Sequence, residues 1–401
     1  METISQNKND LLNNTVVAFI CLFPFIKVNA LGGSNTPIHL GLFLVCTFIL
    51  VIAYLILRRW KPGIELYPVL FSFSILFSSL SYDKKYAIWA IIYGSRLIVF
   101  FIVVKLYMEN RRFLILDVFD GYLTILFLLN LFFQIFDRNL FGRGANINNY
   151  LNFFIDDNAI VFYAIPYITV VLLRYIKGVT SYFVSVLVKI IVVCASIFSA
   201  RAVGGIISIV LYMVVLIGVA TGIVKFNKKI FVSTVIIMNL VLIMGGRIIP
   251  YIDRYLIRLF GKQIGRSRAL IWNAALGNFL RNPVFGYGTR ENARNIMNFD
   301  GHATWYSHNF ILEIGIQGGI IALVIFVIFI LYAVNKNDSN PNSLVKNILY
   351  CGMLGVFLSF LTEGTIFDPI EYFVFILCCF SDSLYEYNQC DISLVQMESS
   401  N

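Results

Sequence analysis

Charge is what this sequence has least of. Of its 401 residues 13% are charged and 59% hydrophobic, and the mean hydropathy is +0.80. A soluble domain carries about 25% charged and about 45–50% apolar residues, so a soluble enzyme or binding domain is excluded and the chain reads as a polytopic membrane protein. No polar stretch is long enough to build a soluble domain beside it. The cysteines do not organise either. Cys21, Cys46, Cys194, Cys351, Cys378 and Cys379 lie in apolar runs, Cys390 lies in the tail, and there is no CxxC or Cys/His cluster. They read as small buried hydrophobes, without a disulfide framework or a zinc site. No Walker A and no GxGxxG occurs, and the missing DxD removes support for a metal-dependent nucleotide-sugar site. No cofactor is expected. The net charge of +9 is spread over loops, which membrane topology explains better than nucleic acid does.

What is present is length of apolar run. A bilayer core takes roughly 20 apolar residues in a helix, and twelve runs come near this: 11–30, 38–57, 66–81, 86–107, 117–136, 158–175, 181–200, 203–222, 230–246, 311–333, 345–367 and 369–385. The polar start METISQNKNDLLNN leads into a segment containing Pro24 and Lys27 with no small-residue cleavage site, so the first run reads as an anchor. Twelve spans put both termini on one side. With that side cytoplasmic, the inner segments hold fourteen Lys and Arg, among them Arg58, Arg59, Arg111, Arg112, Lys228 and Lys229. The short outer loops hold five: Lys84, Lys85, Arg138, Arg143 and Arg201. The excess belongs inside.

The expected architecture is therefore all-α, a single polytopic domain over 1–401 with one large outer loop at 247–308. Loops of that length are translocated largely regardless of charge, and this one carries nine Lys and Arg against Asp253, Glu291 and Asp300. Two stretches in it have helical stripes: IDRYLIRLFGKQI, with Ile252, Leu256, Leu259 and Phe260, and SRALIWNAALGNFLRNP, with Leu270, Ala274 and Ile271, Ala275. Asn282-Pro283 stops the second. Two short amphipathic helices at the membrane surface, basic side up, fit the pattern. The tail after Tyr385 is polar.

Charges inside or at the mouth of spans are costly and raise functional questions. The candidates are Arg96, Lys189, Arg201, Glu313 and Glu363. Lys189 reads best as snorkelling or paired with another helix. Arg96, near mid-span, needs a partner across the bundle. Arg201 in SARAVGG stands at an outer span junction, where lipid-headgroup anchoring competes evenly with function. In WYSHNFILEIGIQGG, Ser307 is the expected N-cap, with the helix starting near His308 and Glu313 about one turn inside. Asn309 and Glu313 share a face, and Glu313 is expected to hold the outer loop through Asn or Arg partners. A lone His at a helix mouth is usually structural; the basic loop beside it improves its standing as a base or proton shuttle. Gly315 and Gly319 form a GxxxG that admits a second helix. Outer-face guanidinium groups suit phosphate, so a lipid diphosphate is a fitting ligand, with generic anionic lipid as the alternative.

The run SRALIWNAALGNFLRNPVFGYG (267–288), followed by SHNFILEIGIQGGIIALV (307–324), resembles the signature of the O-antigen ligase and O-antigen polymerase superfamily. There an Arg four before a Trp opens an outer-loop helix, an NP-x-x-G-x-G turn ends it, and HN-x-x-L-E enters the next span. The matching residues are Arg268 and Trp272; Asn282, Pro283, Gly286 and Gly288; and His308, Asn309, Leu312 and Glu313. FSARAVGG (198–205) resembles the family's Ser-x-Arg and supplies Arg201. The resemblance implies a metal-independent, C-type integral-membrane glycosyltransferase fed by sugar on undecaprenyl diphosphate. In it Arg201 and Arg268 hold the donor diphosphate, with Arg266 and Arg290 as competitors, and His308 acts on the acceptor hydroxyl. Asn309 and Glu313 support the site. The reaction expected is polymerisation of lipid-linked repeat units at the outer face of the inner membrane. The alternative is ligation of finished polymer to lipid A core. Phe285, Tyr287, Trp305 and Tyr306 are candidate sugar platforms. Membrane lipid is an expected partner, and the polymerase reading leaves room for a chain-length regulator protein. A flippase or transporter is disfavoured, because transporters place polar sites at the midplane and often show repeats; Arg96 and Lys189 are the residues that would support one.

Overall fold

The computed structural model describes residues 15–31, 41, 43–50, 63–109, 114–136, 153–155, 159–178, 182–200, 203–243, 258, 265–289, 298–299, 302–303, 307–341, 343–361 and 363–384. Its helices are α1 (Thr15–Leu22), α2 (Leu66–Tyr82), α3 (Ala87–Glu109), α4 (Leu114–Phe136), α5 (Ile160–Ile176), α6 (Phe183–Ala200), α7 (Val203–Ala220), α8 (Lys228–Ile243), α9 (Gly265–Arg281), α10 (Phe310–Asp338), α11 (Ser343–Phe360) and α12 (Phe373–Cys379). A two-residue antiparallel pair, β1 (Asn298–Phe299) with β2 (His302–Ala303), is the exception among the described residues. All-helical architecture is what a bilayer imposes, since a helix satisfies every backbone group within its own segment.

Among the described residues, six helical segments have the length and apolarity to cross a membrane: Lys84–Glu109, α4, α6, α7, α10 and α11. The chain is thus a multi-pass membrane protein. Shorter apolar helices cover Thr15–Phe25, Leu66–Tyr82, Ile160–Ile176 and Pro369–Cys379. The first expected run is cut short, because α1 ends at Leu22 and Pro24 sits in the following 3-10 turn, where its missing N–H breaks no helical bond. Of the run 38–57, residues 43–50 are helical and much of the rest lies outside the described residues.

The core sits where α5, α10, α11 and α12 meet α2 and α3. Phe310 stacks on Phe360 with centroids 3.8 Å apart, and Tyr67 stacks on Phe329 at 4.1 Å. The two ends of the bundle are marked by polar contacts. At one, Asn340 donates to the Ser381 carbonyl, Ser381 to the Lys336 carbonyl, and Lys177 to the Leu384 carbonyl. Near this end the buried Asp120 of α4 pairs with Arg174 of α5 and, at 2.7 Å, with Lys189 of α6, while Arg174 Nε lies 2.8 Å from Asp117. Lys189 is therefore paired with another helix, as expected. Lys105 and Glu65, both buried, pair at 2.6 Å. The opposite end holds Ser307–Phe310 and the segment 363–372, which closes with a 3-10 turn at Pro369–Tyr372.

Candidate functional site

Helix α9 brings Arg268 inward because of its spacing. Residues 268, 271, 275 and 278 recur every three or four positions and so share one face. Ile271, Ala275 and Asn278 are buried, and Arg268 is half-buried. Leu270, expected in the stripe, is 42% exposed and points outward. Asn282-Pro283 ends the helix after Arg281, as the sequence indicated.

The turn that follows docks into a break in α10. Gly319 has φ 64° and ψ −161°, conformations closed to residues with a Cβ. The carbonyls of Ile316 and Gln317 accept instead from Tyr287 N–H (2.7 Å) and Gly288 N–H (2.8 Å), and Ile320 N–H donates to the Pro283 carbonyl (2.7 Å). Irregular backbone at membrane depth persists only where protein satisfies it, and the turn does so. The expected GxxxG is met by a helix at one glycine and by the turn at the other: Gly315 packs against the Phe279 ring of α9, whereas a Cβ at Gly319 would overlap the Val284 carbonyl of this turn. Helix α2 closes the junction, with Ser78 donating to the Phe285 carbonyl and Ser79 Oγ accepting from Thr289 N–H at 3.0 Å. Tyr287 packs with Ile271, Ala275 and Ile316, and its hydroxyl donates to the Asn278 carbonyl at 3.0 Å. Burial pushes this phenol up, Tyr82 adds to the shift and Arg281 opposes it. Phe285 lies tilted on Phe77, with centroids 5.1 Å apart.

At the mouth of α10 two expectations need correcting. Asn309, not Ser307, is the N-cap: its side-chain oxygen accepts from Leu312 N–H at 3.0 Å, and the helix starts at Phe310. Glu313 binds Ser307 and Gln317 in place of Asn or Arg side chains. Its Oε2 accepts from Ser307 N–H at 2.8 Å and lies 2.8 Å from the Ser307 hydroxyl, and its Oε1 accepts from Gln317 Nε2 at 2.7 Å. Between Ser307 and Asn309, His308 takes φ 52°. That left-handed conformation is uncommon outside glycine, although His, Asn and Asp tolerate it best, and it swings the ring out of the helix start.

The ring meets Glu363. His308 Nδ1 lies 2.9 Å from Glu363 Oε1, and Arg268 Nη2 donates to the same oxygen at 2.8 Å. Glu363 is 4% exposed, so its charge is held by these two partners rather than by water. It stands on the loop after α11, where Gly364 (φ 141°) leaves room for Phe310. The structure thus joins two of the residues singled out in sequence, Arg268 and His308, through a third whose role the sequence left open. The only signal for Glu363 was the cost of a carboxylate at the end of an apolar run. Arg201, Arg290, Arg294, Trp305, Tyr306 and, apart from Arg258, the first amphipathic stretch lie outside the described residues. Arg266 is in α9, but its side chain is likewise outside them. Arg96 finds its cross-bundle partner in the Pro24 carbonyl, at 3.2 Å. Among the described residues no group of three His, Cys, Asp or Glu could hold a metal, and the six described cysteines are free thiols.

No curated protein matches the chain. A family model described as O-antigen ligase matches residues 157–327, from just before α5 into α10, and so takes in Arg268, the docked turn, His308 and Glu313. Over that stretch the chain is similar to the O-antigen ligase family, a match that supports its resemblance to the O-antigen ligase and polymerase superfamily.

Proposed function

We propose that the protein joins undecaprenyl-diphosphate-linked oligosaccharide repeat units into surface polysaccharide, by glycosyl transfer without metal at the outer face of the bacterial inner membrane. The observation that carries this is the shared carboxylate: Glu363 Oε1 receives both Arg268 and His308. A ring that donates Nδ1–H to a carboxylate presents Nε2 as its basic nitrogen. The acceptor hydroxyl oxygen attacks the anomeric carbon as its proton passes to His308 Nε2. The bond from that carbon to the diphosphate oxygen breaks, and undecaprenyl diphosphate leaves with the electron pair. Inversion at the anomeric carbon is expected from the family resemblance. Arg268, with Arg201 and with Arg266 or Arg290, stabilises charge growing on the leaving diphosphate. Glu363 fixes the imidazole and stabilises the imidazolium; Asn309 and Glu313 hold the helix mouth that presents it.

In this reading one domain spans 1–401, twelve helices cross the membrane, both termini are cytoplasmic and 247–308 is periplasmic. A chain-length regulator fits as a partner. The ligase is the second reading, favoured by the description of the matching family; it shares the donor site and differs in its acceptor. Deleting the gene and resolving surface polysaccharide on a gel separates the two. Core bearing a single repeat unit means polymerase. Unsubstituted core with long polymer on the lipid carrier means ligase. An unchanged polysaccharide profile refutes both.

A further inference from the structure

The functional reading leaves the outer half of α3 unused. Trp89, Tyr93 and Arg96 follow one another at four and three residues and so lie on one flank of that helix. This is not the lipid flank, which carries Ile88 (55% exposed) and Ile91 (51% exposed), nor the flank at Ala90, Gly94 and Leu97, which is buried. Trp89 stacks on Tyr93 with centroids 5.5 Å apart and planes at 26°, and Tyr93 lies 5.8 Å from Phe367 at 32°. Below this run of rings Arg96 donates to the Pro24 carbonyl, and Asp368 accepts from Tyr163 at 3.2 Å through the oxygen Oδ2. The Tyr163 hydroxyl in turn accepts from Lys27 N–H at 3.2 Å. Lys27, Trp89, Tyr93, Arg96, Phe367 and Asp368 are all half-buried. They come from three separate segments, and Phe367 and Asp368 belong to the loop that carries Glu363.

Half-buried aromatic faces beside a guanidinium and a carboxylate match the surface of a saccharide. The C–H face of a pyranose packs on a ring, while vicinal hydroxyls take the fork of an Arg and the remaining lone pairs of an Asp, here Asp368, whose Oδ2 already accepts from Tyr163 O–H and whose Oδ1 accepts from Ile370 N–H at 3.1 Å. A membrane-interface belt explains Trp and Tyr at the lipid boundary, but here the lipid boundary is isoleucine. We propose that this flank is the acceptor-saccharide subsite, holding the sugar whose hydroxyl reaches His308, with Trp89, Tyr93 and Phe367 as its platform and Arg96 and Asp368 as its hydrogen-bonding floor. This rests on the glycosyltransferase reading and adds to it the place and chemistry of the second substrate.

The test uses the full-length chain in nanodiscs and two lipid-free probes: repeat-unit oligosaccharide released from the host's surface polysaccharide, and core oligosaccharide released from its lipopolysaccharide. Trp89→Leu and Tyr93→Leu keep apolar bulk and remove the ring face. Each is expected to weaken binding of one probe about tenfold, on the order of one aromatic contact, while binding of undecaprenyl diphosphate is unchanged. Whichever probe responds identifies the acceptor source. Wild-type binding of both probes by both variants overturns the proposal, as does failure of the wild-type protein to bind either. Loss of probe and undecaprenyl diphosphate in step also overturns it. Arg268→Ala separates the two readings, since a wrong donor site shows in the undecaprenyl diphosphate isotherm and leaves the oligosaccharide isotherm where it was.

Discussion

Replacing Glu363 by Gln keeps the shape of the side chain and removes its charge, and the geometry predicts opposite effects on the two halves of the reaction. In the wild-type protein one oxygen serves both Arg268 and His308. In the proposed reaction the arriving acceptor proton makes His308 an imidazolium 2.9 Å from a carboxylate. At an effective dielectric of about 20 the raw attraction is about 6 kcal/mol, most of it offset by the cost of holding the charges out of water. The net share is closer to the difference between a charge-assisted and a neutral hydrogen bond, about 1–1.5 kcal/mol, or about tenfold in rate. Arg268 changes in the other sense. Released from its carboxylate, it has more charge to give a diphosphate, so undecaprenyl diphosphate should bind as tightly as before or more tightly. The assay is single-turnover transfer by purified protein in nanodiscs, with undecaprenyl diphosphate affinity measured on the same preparation. Slower transfer with undiminished affinity is the expected pair of results. Transfer at the wild-type rate, at equal protein level, refutes the role assigned to Glu363. Parallel loss of both quantities would make the carboxylate a structural tie.

His308→Asn is the cleaner test of the imidazole, because Asn tolerates the left-handed backbone; transfer is expected to fall at least a hundredfold with undecaprenyl diphosphate affinity kept, whereas unchanged transfer excludes a base at this position. Arg268→Ala and Arg201→Ala are each expected to weaken undecaprenyl diphosphate binding about tenfold, the loss of one charge-assisted contact, and unchanged affinity in both would remove them from the donor site. Gly319→Ala places a Cβ against the Val284 carbonyl at φ 64° and is expected to cost at least ~2 kcal/mol, read as a lower midpoint of thermal unfolding in detergent; an unshifted midpoint would mean the turn does not dock there. Asp120→Asn leaves Arg174 and Lys189 facing a neutral amide, with an expected cost of about 3 kcal/mol, read as lower thermal stability with transfer rate per folded molecule unchanged.

Much of this was legible in the chain because helix periodicity and bilayer thickness are local rules. The apolar runs marked the helices, and Asn282-Pro283 marked where α9 stops. The motif order sets Arg268 and His308 beside one another, and in the fold both meet Glu363. What failed depended on contacts distant in sequence. Ser307 looked like a cap because Ser is a good one, but Asn309 competes two residues closer to the helix, and Ser307 is taken by Glu313. Gly319 looked like part of a helix-packing pair with Gly315 because spacing alone cannot distinguish a notch that receives a helix from one that receives a turn. Glu363 lies 95 residues from Arg268 along the chain, and no local pattern links them. Leu270 was placed on the wrong side of α9 because two adjacent apolar stripes differ by only one residue of phase, and only docking decides between them.

The position of Glu363 bears on how this protein can be divided. The stretch that matches the family model ends at residue 327, inside α10 and ahead of α11. A chimera that transplanted only that stretch would carry the arginine, the histidine and the docked turn into a new host, but leave behind the carboxylate that both side chains meet. Whatever enzyme received it would have to supply an acidic side chain of its own at the same height. The modular unit of exchange in this architecture is therefore longer than its recognisable signature, and extends at least through the loop that closes over α11.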